Sequence, residues 1–194
     1  ERIAEEEIRP LVEKNIENKI FFFDTKSIFL ANLKKSKEEI LNTFPQIRDI
    51  QISRKLPDAI KLVVIERKEL ARWCLEEQCF LLDKEGIIFE KASMEKGSVK
   101  IKGESISNNF ILGEKVIEEE LFVKALRVQS SLTENFNISV EEFFIVSEMR
   151  LNAKTLEGWE AYFNPKEDMD WQIENLKSLL EERIPSNKRG NVEY

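Results

Sequence analysis

"RKLPDAIKLVVIERKELARW", Arg54 to Trp73, compresses a turn, a strand and a boundary into one run. Leu56-Pro57-Asp58 is turn chemistry: proline presets its own φ, and aspartate can bond nearby backbone. Ile60 to Ile65 follows as a buried strand, and Ile47, Ile50 and Ile52 upstream read as its partner. The stretch is therefore a β-hairpin whose second strand is expected to be interior. From Trp73 onward short strands dominate, which marks the start of a β-rich unit.

Upstream of the hairpin the period changes. Leu33, Ser36 or Lys37, Ile40, Leu41 and Phe44 give one mainly apolar stripe, so a helix is predicted over 33–43, ended by Pro45. Ile8, Leu11, Val12 and Ile16 predict an earlier helix from Glu5 to Asn15 with acids at its start, where the macrodipole favours them. Pro10 is then expected in or near the first turn, where a missing N–H costs little. Three consecutive phenylalanines within Lys19 to Asp24 read as core packing in preference to an exposed patch. The order is helix, helix, strand, strand. Because a small sheet needs three strands, one more is expected just before Glu1.

Downstream, strands are predicted at Cys79 to Asp83, Ile87 to Glu90 and Val99 to Lys102, with a turn at Lys84-Glu85-Gly86. Leu121, Phe122, Ala125, Leu126 and Leu132 predict a helix from Glu118 to Asn135. Val140 to Val146, Met149 to Thr155 and Trp159 to Phe163 read as an antiparallel meander with a last turn at Leu156-Glu157-Gly158. Met169, Ile173, Leu176 and Leu180 line a final helix from Asp168 to Arg183, with Asp168 as N-cap and Pro185 beyond its end. Asn191 to Tyr194 reads as the first residues of another strand. The fold class is α+β, with an incomplete unit over 1–69 and an antiparallel β unit with flanking helices over 70–194.

Composition excludes several functions. The 194 residues carry a net charge of -7, which disfavours a nucleic-acid backbone as partner. There is no histidine, so Ser-His-Asp, Cys-His and His-zinc sites are impossible. Six scattered glycines supply no phosphate cradle, and no cofactor is expected. Apolar runs such as Leu62 to Ile65 fall far short of the ~18 residues a membrane span requires. Since the sequence opens at Glu1 without methionine, a preceding anchor or signal segment remains an expectation. Cys74 and Cys79 fit either two half-buried thiols, the reading the residues favour, or a disulfide across a hairpin, which would place the chain in an oxidising compartment. A carboxylate-based cell-wall hydrolase is disfavoured, because with 37 acidic residues some pair falls at a suitable separation by chance.

Four elements in order, "FPQIRDIQISRKLPD" (Phe44 to Asp58), "VVIERKELARW" (Val63 to Trp73), "FLLDKEGIIFE" (Phe80 to Glu90) and "GWEAYFNPKEDMDWQIENLKSLLE" (Gly158 to Glu181), resemble the extracytoplasmic part of the bacterial cell-division proteins FtsQ, called DivIB in Gram-positive species. The resemblance implies a POTRA domain of strand-helix-helix-strand-strand order, here lacking its first strand, then a β domain whose last strand is incomplete. It further implies a non-catalytic scaffold at the septum, held by one N-terminal membrane helix. Its partners would be FtsB-like and FtsL-like proteins, with FtsK, FtsW and FtsI.

Such a scaffold can act by strand addition. The resemblance places the main FtsB-binding strand at Val192 to Tyr194 and beyond. The strand Ile47 to Arg54 is a second candidate edge, with Ile47, Asp49, Ile52 and Arg54 as its contact residues. A POTRA-containing docking module of an outer-membrane assembly or secretion system is the alternative, against which no internal repeat is seen. Trp73 and Phe89 are expected at an interdomain seam, Trp159 and Phe163 on one sheet face, and Trp171 between the final helix and a strand. Glu66-Arg67 is similar to the family's charged pair at the domain boundary, although an ordinary surface ion pair is the simpler reading.

Overall fold

A computed structural model describes residues 5–14, 17–20, 23–26, 31–93, 98–103, 110–182 and 184. The chain divides into two units, Glu1–Arg67 and Lys68–Tyr194.

In the first unit, α1 (Glu5–Lys14) is followed by β1 (Glu17–Ile20) and β2 (Phe23–Lys26), then α2 (Leu33–Thr43), β3 (Ile47–Lys55) and β4 (Ala59–Glu66). The hairpin β1–β2 was not expected: Ile20 pairs with Phe23, while Phe21, Phe22 and Ile16 lie outside the described residues. Pro10 is the sixth residue of α1 and not in its first turn as expected. It is exposed while Ile8 and Val12 are buried, so its lost helical bond falls on the solvent side. Asn32 caps α2 through Oδ1, which accepts the Lys35 N–H at 3.1 Å. Ile8, Val12, Ile40, Ile47 and Ile50 form this unit's core, with Ile52, Ile60, Leu62 and Val64 packed against it.

The expectation that β4 is interior fails. Its residues alternate between exposed and half-buried, and Val63 and Ile65 face outward. A β-branched run fits a pleated surface whether one face or both are covered, and among the described residues only one is. Ile47 and Ile50 are three residues apart, an odd spacing that would put them on opposite faces. A register shift between Ile47 and Asp49 brings both into the core.

The second unit contains β5 (Ala71–Leu75), β6 (Gln78–Leu82), β7 (Ile88–Ala92), β8 (Lys100–Gly103), α3 (Glu119–Phe136), β9 (Val140–Ser147), β10 (Arg150–Thr155), β11 (Glu160–Phe163) and α4 (Met169–Glu182). The seven strands form one sheet in the order β11-β10-β9-β8-β5-β6-β7. The α+β class holds, but the sheet is mixed, because β8 runs parallel to both β5 and β9. The connection through α3 makes β8-α3-β9 a crossover unit, which parallel neighbours require.

Phe122, Ala125, Val128 and Leu132 of α3, Met169, Ile173, Leu176 and Leu180 of α4, and Ile101, Phe143, Leu151, Ala153, Ala161 and Phe163 of the strands make one core. Asp168 caps α4 as expected, its Oδ1 accepting the N–H groups of Asp170 and Trp171 at 2.9 and 3.1 Å. Trp73 belongs to this unit's own core, its ring edge-on to Phe110 at 6.4 Å and seated where a side chain at Gly103 would project. Phe89 is fully buried in β7. Trp159 and Phe163 are buried as expected, but Trp171 is 67% exposed. It falls two residues after Met169, about 200° around the helix from the apolar stripe.

Cys74 and Cys79 are directly opposite in the β5–β6 ladder and joined in a disulfide. Glu76, at φ 49°, turns the chain between them. So small a loop contributes about 2 kcal/mol in the chain-entropy account.

Two measurements follow. Trp159→Ala is expected to cost about 3–5 kcal/mol in urea unfolding and Trp171→Ala less than about 0.5 kcal/mol; comparable costs would contradict the packing. Alkylation of denatured, unreduced protein is expected to find neither cysteine free.

Candidate functional site

Strand addition needs backbone N–H and C=O groups that no neighbour has taken, so the ends of each sheet are the places to look. Among the described residues β3 and β4 form a two-stranded sheet. Ile47 is buried at the start of β3, and its N–H donates to the Phe44 carbonyl at 3.0 Å, so neither its side chain nor that donor is offered to a partner. Asp49 Oδ1 accepts from Lys37 Nζ at 2.7 Å, and the Asp49 carboxylate also takes the N–H of Ile50. These bonds, that from Lys37 foremost, hold the Asp49 carboxyl below the ordinary range. Ile52 is half-buried against the core, and Arg54 is exposed, with Nη2 donating to the Ala31 carbonyl at 2.8 Å. The four residues share a strand but not a face. Val192 and Tyr194 lie outside the described residues.

The seven-stranded sheet ends at β7 and β11. The first residue of β7 is covered: Ile88 donates to the Glu114 carbonyl at 3.0 Å and accepts from the Gly113 N–H at 2.7 Å. Val116 N–H donates to the Gly86 carbonyl at 2.8 Å. Gly86, at φ 78°, has the Ile117 carbonyl oxygen 2.1 Å from where a Cβ would stand, so only glycine lets the chain close over this edge. The buried Asp83 shapes the same turn, its Oδ1 accepting the N–H groups of Glu85 and Ile87 at 2.9 and 3.0 Å.

At the other end, the face of the sheet opposite the helices carries a row of alternating charge, Lys100, Glu142, Lys154 and Glu160, in register across β8 to β11. Lys102 Nζ joins it, 2.6 Å from Glu142. The next row holds Phe144, Asn152 and Tyr162, with the Arg150 guanidinium 4.4 Å above the Tyr162 ring. Beyond β11, Gln172 of α4 binds the backbone of Asn164 on both sides, a contact that sequence reading missed because a glutamine on a helix reads as solvated surface.

Arg67 donates to backbone, from N–H to the Gln46 carbonyl at 2.7 Å and from Nε to the Pro45 carbonyl at 3.1 Å. In the second unit Glu69 pairs with Arg72. Glu69 Oε1 accepts from Arg72 Nε at 3.1 Å and from Ser98 Oγ at 2.7 Å, and Arg72 Nη1 donates to the Ser93 carbonyl at 2.5 Å. Burial pushes the Glu69 carboxyl up, but the hydrogen bonds from Ser98 and Arg72 outweigh it and hold the group below its ordinary 4.5.

No family model matches the chain. It is 25% identical to a cell division protein DivIB of Clostridium tetani over 174 residues, 86% of this chain and 64% of that protein. Over 87 residues it is 32% identical to DivIB of Clostridium acetobutylicum, 44% of this chain and 34% of the relative. Over 65 residues it is 35% identical to a cell division protein FtsQ of Rickettsia bellii, 34% of this chain and 24% of the relative. The chain thus spans less than two thirds of the length of these relatives, and it is similar to the FtsQ/DivIB cell-division proteins over most of its own.

The Glu69 cluster makes a pH prediction with a definite sign. A carboxyl whose folded pKa is lowered stabilises the fold above its unfolded value, and that contribution is lost as pH falls through the folded value. Glu69→Gln is expected to flatten the fall of the thermal midpoint below the ordinary 4.5. A wild-type slope unchanged by the substitution would show that the cluster contributes nothing.

Proposed function

We propose that this chain is the extracytoplasmic part of a non-catalytic scaffold of bacterial cell division. In this reading a POTRA-type unit over 1–69 precedes an FtsQ/DivIB-type β unit over 70–194, and the two bridge early and late division proteins at the septum by backbone pairing. The observation that carries the proposal is the similarity to a cell-division protein across 86% of the chain. The ribbon β3–β4 supports the mechanism, since strand edges are the surface on which an extended partner segment gains main-chain hydrogen bonds.

Ile47, Asp49, Ile52 and Arg54 would line one such edge, with Val192 and Tyr194 on a second. Asp49 and Arg54 bring charge to the first, which discourages indiscriminate pairing. The partners are FtsB-like and FtsL-like proteins, with FtsK, FtsW and FtsI as further members of the assembly. The Cys74–Cys79 disulfide supports an oxidising, extracytoplasmic setting. Among the described residues no helix is long and apolar enough to cross a membrane.

The test is a proline scan of the extracytoplasmic segment of an FtsB-like partner, titrated against this chain. Proline removes a ladder N–H, so affinity is expected to fall at least about tenfold at every second position, about 1.4 kcal/mol each, and little between them. Binding of the unmodified segment to this chain is expected to be weak, because the resemblance places the main FtsB-binding strand at Val192 to Tyr194 and beyond; losses without that alternation would overturn the proposal. Turnover of a peptidoglycan fragment by the purified chain would overturn its non-catalytic part.

A further inference from the structure

The strands β8 to β11 turn one face to the helices and the other away from them. On the second face stand Lys100 and Lys102 of β8, Arg150 and Lys154 of β10, and only two carboxylates, Glu142 of β9 and Glu160 of β11. In a chain of 37 acidic and 30 basic residues, that excess of cations reverses the overall balance. Both carboxylates already have a cation beside them. Glu142 is 2.6 Å from Lys102 Nζ, and Glu160 is directly opposite Lys154.

Arg150 has no such partner. It is exposed, and no ion pair among the described residues includes it. Its Nε donates to Asn152 Oδ1 at 3.1 Å, and its guanidinium carbon lies 4.4 Å from the centre of the Tyr162 ring. Stacked on the ring and tied through Nε, the side chain keeps its Nη1 and Nη2 donors unspent, and that planar fork matches the two oxygens of a carboxylate. A group held in place beforehand loses less freedom when it binds. Asn152, which holds Arg150, is directly opposite Phe144 in β9, and Phe144 is 37% exposed. An apolar contact therefore stands about 5 Å, one strand spacing, from the residue that anchors the fork.

We propose that this face docks an acidic segment of a protein partner, with Arg150 receiving an Asp or Glu carboxylate and Phe144 packing an apolar side chain beside it. The excess of cations sets the sign of the occupant. Glu142 and Glu160 set its class: a surface or polymer of uniform negative charge is repelled at both, whereas a peptide can put acids over Arg150 and Lys100 and other side chains over the carboxylates. Arginine and aromatic residues are also the side chains that carry most of the energy in protein interfaces. Binding here uses the side chains of a sheet face and no backbone group of an end strand. The inference deepens the scaffold reading by giving the chemistry of a partner, and rests on that reading only for the partner's place in the cell.

The probe is a short synthetic peptide of repeated Glu-Glu-Leu-Leu, which in extended form alternates acid and leucine along each side. Titrated into this chain and followed by NMR, it is expected to shift the Arg150 Nε–H and the amides of Lys102, Phe144 and Asn152, less so as salt is added. Arg150→Ala is expected to raise the dissociation constant about tenfold, and Arg150→Lys, which keeps the charge and loses the fork, by an intermediate factor. Equal affinity in wild type and Arg150→Ala, with thermal midpoints confirming that both are folded, would overturn the docking face. So would the absence of any shift at Arg150 at millimolar peptide, or an equal shift from the same peptide with Lys in place of Glu. Tighter binding to phosphatidylglycerol vesicles than to the peptide would overturn the protein partner in favour of a membrane surface. No division protein enters the test, so its outcome decides the face whatever the proline scan finds.

Discussion

The constraint on which the rest depends is that every strand at the end of a sheet must dispose of a row of backbone N–H and C=O groups. Burying such groups unpaired costs more than most single side-chain contacts return. The second unit meets the demand differently at its two ends. At β7 the chain folds back over its own edge, and Ile88 bonds to Gly113 and Glu114. At β11 a helix side chain, Gln172, takes the place of a strand at one residue. In the first unit β3 and β4 are paired only to each other among the described residues, and at the start of that ribbon the Ile47 N–H is taken by the Phe44 carbonyl.

Several contacts hold the strands of the second unit in register. Both helices cover one face of the sheet, and their buried residues join those of β8 to β11 in a single core. Charges on the opposite face alternate from strand to strand, so cross-strand neighbours attract and register errors bring like charges together. The disulfide pins β5 to β6 within the same sheet, and the Glu69–Arg72–Ser98 cluster ties Glu69, two residues before β5, to the segment entering β8. A sheet held in this way presents the side chains of the face opposite the helices at fixed spacing.

Most elements were legible because their apolar spacing is regular. The stripe Met169, Ile173, Leu176 and Leu180 gave α4 directly, and α2 was found to the residue. What escaped was whatever depends on neighbours distant in sequence. Val63 and Ile65 looked interior because β-branched residues suit a strand covered on one face as well as on two. Trp171 looked like packing because tryptophan usually is, yet its angle on the helix puts it in water. The parallel placement of β8 was hidden because a four-residue strand carries no mark of its direction. Gln172 was invisible because a glutamine's role depends on the backbone it meets.

The sequence by itself determined the α+β class, the order of most helices and strands, the absence of histidine chemistry and the resemblance to FtsQ/DivIB, since these follow from local periodicity and residue type. Tertiary structure alone decided the mixed sheet, the pairing of Cys74 with Cys79, the hydrogen-bonded role of Glu69 and the closure of each sheet edge. The physical reason is that a hydrogen bond is satisfied by whatever donor or acceptor arrives in space. Local periodicity says which face a residue turns inward, but not which backbone will be waiting there.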